Sequence, residues 1–245
     1  MARYPVESTT RDLIGQADQA SDAGQRRAAI GLYNQALALE PHCSYALVQR
    51  GLALQQDGRL DEAIRDYNQA IELDPQYGLA YYGRGWAKNW KHDYRGEMED
   101  ARIGLDLEPD NPGRYLRRMG AALTGLSLYV QAIEAYTRAI DLDPDDLGTI
   151  FNRSLCYRQM GRTDAALADI NTVLTAEPNW AWPLYQRGLI YEQRGELEKA
   201  AADIDAALRS DPEYAPALDA RKRLTERMGE RRQGGLTGKL FGSKR

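Results

Sequence analysis

Four arginines are each followed, sixteen residues later, by an aspartate: Arg50 and Asp66, Arg84 and Asp100, Arg153 and Asp169, Arg187 and Asp203. An arginine brought against a carboxylate makes a charge-assisted pair. An arginine in a seam between two elements needs such a partner, because an unpaired buried charge is costly. That chemistry holds a structure together; it turns over no substrate. The alternative is two independent surface preferences. Other reactive side chains are few. His42 and His92 are the only histidines, and Cys43 and Cys156 the only cysteines. That is no disulfide framework, no metal quartet and no triad. No Gly-rich phosphate loop, HExxH or CxxC occurs. The expectation is a non-enzyme with no catalytic residue, no metal site and no cofactor.

The arginines and aspartates recur because the whole chain recurs. Pro41, Pro75, Pro109, Pro144, Pro178 and Pro212 are spaced by 34, 34, 35, 34 and 34 residues, and each follows an Asp or Glu. A fixed period of this size is the mark of stacked repeats. Small residues keep the same period: Ala17, Gly51, Gly85, Gly120, Ser154 and Gly188, then Ala29, Ala63, Ala132, Ala166 and Ala200, with Glu97 in the third place of the second series. Between these two series lies Gly24, Gly58, Gly161 or Gly195, with His92 and Ser127 in the two departing repeats. Each unit reads as helix A, a turn, and helix B. In the second repeat helix A covers 44–57 with Leu47, Leu52 and Leu54 at helical spacing, and Gly58-Arg59 turns the chain. Asp61 is the expected cap of helix B, whose apolar face is Ala63, Ile64, Tyr67, Ala70 and Ile71. Pro75 ends it and pushes Asp74 out of the α region. The small residues are expected to let helices A and B approach, with Tyr67 and Tyr136 filling the space between repeats.

This pattern resembles the tetratricopeptide-repeat family. The signature is carried in the sixth repeat by Leu184, Gly188, Tyr191, Ala200 and Pro212, and in the fourth by Leu116, Gly120, Leu123, Ala132, Tyr136 and Pro144. The resemblance implies an all-α, right-handed solenoid of six helix-turn-helix units over residues 10–214 (10–43, 44–77, 78–111, 113–146, 147–180 and 181–214). A lead of residues 1–9 precedes them, a capping helix at 215–232 follows, and a flexible basic tail at 233–245 closes the chain. The implied activity is a non-catalytic scaffold or adaptor for a peptide or protein.

In that family the A helices line a concave groove. The positions that would face it here are Tyr45 and Gln49; Tyr82, Trp86, Asn89 and Trp90; Arg114, Arg117 and Arg118; Phe151, Asn152 and Arg158; and Trp182, Tyr185 and Gln186. Rings offer pockets, and amides offer hydrogen bonds to an extended main chain. The three arginines favour an acidic partner. The family's clamp for chaperone tails is not reproduced: in the best register only Asn152 matches. The third and fourth repeats also break the pattern. Glu97 stands where the others have a small residue, Ala101 where the family pattern has an aromatic, and Pro112 lengthens a loop. Trp86 and Trp90 therefore either face the groove or fill the space left by Ala101 and Gly104.

The net charge is −4, against a general nucleic-acid binder. Residues 217–245 hold nine basic and three acidic residues, a net +6, which leaves −10 for residues 1–216. In the tail, Leu236, Lys239, Leu240 and Phe241 form a short amphipathic group. Its readings are contact with an anionic membrane, with a partner, or with the acidic body of a second copy in a homo-oligomer, against a solubilising segment that touches nothing. No leader-like or membrane-spanning stretch is read, so the expected setting is cytoplasmic. An inter-repeat pair, Asp203 with Arg221, is a further expectation.

Overall fold

The computed structural model describes residues 8–241, with side chains for residues 8–231. Thirteen helices are present among them: α1 (Ser8–Asp22), α2 (Arg26–Leu39), α3 (Ser44–Gln56), α4 (Leu60–Leu73), α5 (Gly78–Trp90), α6 (Tyr94–Leu107), α7 (Gly113–Gly125), α8 (Tyr129–Leu142), α9 (Leu147–Gln159), α10 (Thr163–Ala176), α11 (Ala181–Gln193), α12 (Leu197–Ser210) and α13 (Ala215–Phe241). α13 runs past residue 232, where the capping helix was expected to end. The side chains of Leu236, Lys239, Leu240 and Phe241 lie outside the described residues.

The chain divides into two compact units, Met1–Asp143 and Pro144–Arg245. In the first, α1 to α8 make four hairpins. Each helix packs on the next, and α1, α3, α5 and α7 also touch in succession as one layer. In the second, α9 to α12 make two hairpins, and α13 packs on α12 and α11.

The turn inside each hairpin has one cause. Gly24, Gly58, Gly161 and Gly195 have φ of 71°, 80°, 71° and 73°. His92 and Ser127, the two departures from glycine, adopt the same left-handed conformation at 61° and 60°. The backbone thus keeps the turn where the sequence does not keep the residue that suits it. The other end of the hairpin is set by proline. Asp74, before Pro75, has φ −139° and ψ 90°, and Asp211, before Pro212, has φ −137° and ψ 93°. Both have left the helix, as the residue before a proline should.

One local expectation is corrected. Asp61 does not cap α4: the cap is Arg59, with no side-chain bond, and Asp61 lies in the first turn, where it pairs with Lys91. True side-chain caps are Asp93, accepting from the Gly96 N–H at 2.9 Å, and Asp146, accepting from the Thr149 N–H at 3.0 Å. The small helix-A residues let the B helix approach, as expected, at Gly85 and Gly188, where an added Cβ would lie 3.5 Å from the Glu97 and 3.3 Å from the Ala200 carbonyl oxygen, and at Gly51 and Gly120 they clear a ring. A Cβ on Gly51 would meet the Tyr67 ring at 2.8 Å, and one on Gly120 would meet the Tyr136 ring at 2.5 Å. A Cβ on Gly83 of the next A helix would meet the same Tyr67 ring at 2.5 Å, so Tyr67 does fill the space between repeats.

Candidate functional site

The four arginine–aspartate pairs all form. Arg50 donates from Nε and Nη2 to both oxygens of Asp66, each at 2.7 Å. Arg84 grips Asp100 with a closest approach of 2.6 Å, Arg153 grips Asp169 at 2.9 and 2.8 Å, and Arg187 grips Asp203 at 2.7 and 2.8 Å. The third guanidinium nitrogen of three of them reaches backwards. Nη1 of Arg50, Arg84 and Arg187 donates to Asn34, Asn68 and Asn171, each at 2.8 Å and each sixteen residues earlier. Every such arginine therefore joins its own B helix to the preceding one. Arg221 on α13 keeps the backward half of this scheme, pairing with Asp205 at 2.5 Å. This corrects the expected Asp203–Arg221 pair: Asp203 is already held by Arg187.

On the first unit the layer of A helices carries an aromatic and basic face. Trp90 is 63% exposed at the end of α5. Tyr82 and Trp86 lie one turn apart with ring centroids at 6.4 Å, and Tyr82 meets Tyr115 edge-on at 6.2 Å. From α7, Arg118 stands over the Trp86 ring at 5.6 Å and Arg114 over the Tyr115 ring at 5.9 Å. A recess of about 560 Å³ opens beside them, lined by Tyr82, Asn111, Pro112, Arg114 and Arg117 among others. Further along, the Tyr45 hydroxyl donates to Asp18 at 3.0 Å, and Gln49 is half-buried. Beside Gly104, one of the two spaces that the packing alternative gave to the tryptophans, stands the fully buried Tyr115, whose ring lies 2.1 Å from where a Cβ would be added.

Glu97 explains the irregular third repeat. In the second and fourth repeats a small residue is followed one turn later by a tyrosine, Ala63 by Tyr67 and Ala132 by Tyr136. Their hydroxyls reach the A helix: Tyr67 donates to Gln55 at 3.2 Å, and Tyr136 lies 3.4 Å from the Thr124 hydroxyl. In the third repeat the sizes are exchanged. Ala101 replaces the ring, and Glu97, fully buried, reaches the equivalent residue, accepting from Asn89 at 2.6 Å. Its other oxygen lies 3.6 Å from Arg118 Nη1 and accepts no hydrogen bond; Arg118 Nε is also buried without a partner. Burial, with a smaller contribution from the charge of Asp100, pushes the Glu97 carboxyl up to about 7, against the opposing effects of Asn89 and Arg118. The sequence marks Glu97 as a departure, but nothing in it shows that the side chain is turned inward to Asn89 and Arg118.

The second unit carries a different face. Phe151 is buried, with its ring 4.9 Å from Trp182 and 5.5 Å from Trp180; Trp182 itself is 44% exposed. Gln186 is buried with Oε1 unbonded, and Arg158 has its Nε buried without a hydrogen bond. Asn152 is half-buried, and Tyr185 stacks edge-on with Tyr214 at 5.3 Å. Glu192, absent from the expected site, is buried between Arg223, at 3.0 and 2.8 Å, and Arg227, at 2.7 Å. These two arginines, with the Glu192 hydrogen bond to Arg223 foremost, hold its carboxyl below the usual glutamate range. The pair docks α13.

Among the described residues no group of three or more His, Cys, Asp or Glu is placed to hold a metal ion. Nor is any helix among them long and apolar enough to cross a membrane.

Residues 44–77 and residues 151–215 each match a tetratricopeptide-repeat family. Among solved structures, the chain is 26% identical to the tetratricopeptide-repeat protein YrrB, which has an unusual peptide-binding site; the match covers 78% of this chain and 97% of that one, with a TM-score of 0.60. A tetratricopeptide-repeat protein from Parabacteroides merdae is 22% identical over 88% of this chain and 84% of its own, with a TM-score of 0.70. The hetero-tetramer Cut9-Hcn1 of the APC/C matches with a TM-score of 0.80 at 19% identity, over 91% of this chain but 43% of the other. The last two likenesses are of fold.

Proposed function

Since the chain is a tetratricopeptide-repeat protein, we propose that it is a non-catalytic scaffold whose A-helix faces bind a peptide or protein partner. The observation that carries this is Trp90. A tryptophan 63% exposed beside Trp86, with Arg118 over that ring and Arg114 nearby, is an anchor of the kind found at binding hot spots. Arg114 and Arg118 favour an acidic partner. The face of the second unit, with exposed Trp182, supports a second contact of its own. Cys43 and Cys156 are both buried thiols, which suits a reducing compartment such as the cytoplasm.

The test is affinity purification from the native source, with Trp90→Ala and Arg114→Glu as paired controls. Both positions are on the surface, so the fold should survive. A partner recovered by the wild type and lost by both variants is the expected result. Identical recovery by all three would overturn the reading.

A second reading rests on charge. A tail segment of +6 on a body of −10 favours self-assembly, and a basic amphipathic tail also suits an anionic membrane surface. Sedimentation at low and high salt, with and without residues 233–245, separates these from the scaffold reading.

A further inference from the structure

The third repeat places a fully buried carboxylate directly behind the proposed binding face. α6, which carries Glu97, packs against α5 and α7. From α5 the groups around it are Asn89, bonded to it, and Arg84 and Lys88, both bound to Asp100. From α6 itself there is Asp100. From α7 there is Arg118, at 3.6 Å and not hydrogen-bonded. Arg84 and Lys88 are thus engaged, and Arg118 is the cation whose position depends on Glu97. Arg118 also stands on Trp86 and is 22% exposed, so it faces both the buried acid and the surface.

We propose that Glu97 is a proton-coupled latch on this face: ionised, it holds Arg118, and protonated, it releases that arginine to an acidic partner. This rests on the acidic-partner reading above. The proton balance is simple. When a partner's carboxylate takes Arg118, Glu97 loses its neighbouring cation inside a buried site, and a bare carboxylate there is costly. It therefore takes one proton from solvent. By linkage, acid that protonates Glu97 strengthens acidic-partner binding by the same factor.

The test uses the full chain and a fluorescent, capped hexaglutamate peptide, read by anisotropy between pH 6 and pH 8. The probe's carboxyls stay ionised across that window. If pairing with Arg118 shifts the Glu97 proton affinity by about tenfold, binding is about fivefold tighter at pH 6 than at pH 8. Glu97→Gln, which mimics the protonated acid at nearly the same size, should bind at both pH values as the wild type does at pH 6. His42 and His92 are the histidines of the chain and both are exposed; His42→Gln with His92→Gln should leave the slope intact. A flat wild type, or a slope retained by Glu97→Gln, overturns the latch. A wild type that binds hexaglutamate at neither pH overturns the acidic-partner reading and the coupling with it. The carbon-13 resonance of the Glu97 carboxyl in the free protein then shows which part failed: a transition near pH 7, sharpened or displaced by Arg118→Met, means the acid and arginine interact and only the partner was wrong.

Discussion

Asp66 accepts two parallel hydrogen bonds from Arg50, both 2.7 Å long, and the two side chains are unequally buried. The aspartate side chain is 8% exposed and the arginine 21%. Removing each should therefore have a different effect. Arg50→Ala leaves a carboxylate buried without its partner, and should destabilise by about 3 kcal/mol. Asp66→Ala leaves an arginine that can swing to water, and should destabilise by about 1–2 kcal/mol. Urea unfolding of the two variants checks the order. Equal losses would mean that the pair behaves as a surface ion pair.

The left-handed turns give a prediction of opposite sign. Ser127 holds φ 60° with a side chain that glycine lacks. Ser127→Gly should stabilise by about 1 kcal/mol, and Gly58→Ala should destabilise by about 1–2 kcal/mol. Thermal melts measure both. His92→Gly should gain less, because His92 Nδ1 lies 2.8 Å from the Tyr94 hydroxyl.

Two helical glycines separate crowding from backbone freedom. A Cβ on Gly104 would fall 2.1 Å from the buried Tyr115 ring, whereas one on Gly31 meets nothing within 4 Å. Gly104→Ala should destabilise by about 2–3 kcal/mol. Gly31→Ala should stabilise by about 0.5–1 kcal/mol, the helix propensity alone. Denaturant midpoints decide it.

Docking of α13 should depend on acid. The Glu192 carboxyl is held below its ordinary value by Arg223 and Arg227. A carboxylate of lowered folded value contributes stability that is complete above the unfolded value and is lost as pH falls through the folded one. Amide exchange of residues 215–231 should therefore accelerate below the ordinary glutamate range, before the rest of the second unit opens. Glu192→Gln should show the same fast exchange at neutral pH and no further change in acid.

Much of this was readable from spacing. The proline ruler locates every B-helix end, and the joint presence or absence of Arg and Asp at sixteen residues foretells four salt bridges. What spacing hid has physical reasons. Asn34, Asn68 and Asn171 receive the third arginine nitrogen, yet an asparagine on a helix is equally at home in water, so its type carries no signal. Asp61 reads as a cap because aspartates cap well, but the left-handed turn before it begins the helix earlier. Glu97 reads as a lapse in the small-residue series. Only the missing ring at Ala101 makes room for it, and that exchange is between positions that the repeat pattern treats separately. The candidate faces were legible as residue types. Their exposure was not: Phe151 and Gln186 are buried, whereas Trp90 and Trp182 stand out.

Met119 stands where four other repeats have the arginine of the Arg–Asp pair, so the junction of α6 with α7 lacks the link that Arg50, Arg84 and Arg187 make to an asparagine of the preceding B helix. Its nearest substitute is Arg118 against Glu97, one residue along and on the open side of the helix layer. The α2–α3, α4–α5 and α10–α11 joints are bolted from within by Arg50, Arg84 and Arg187; this one is fastened from the side a visitor would touch. Whatever draws Arg118 outward unfastens it. In the first unit, occupation of that face and the loss of this tether would therefore be a single event.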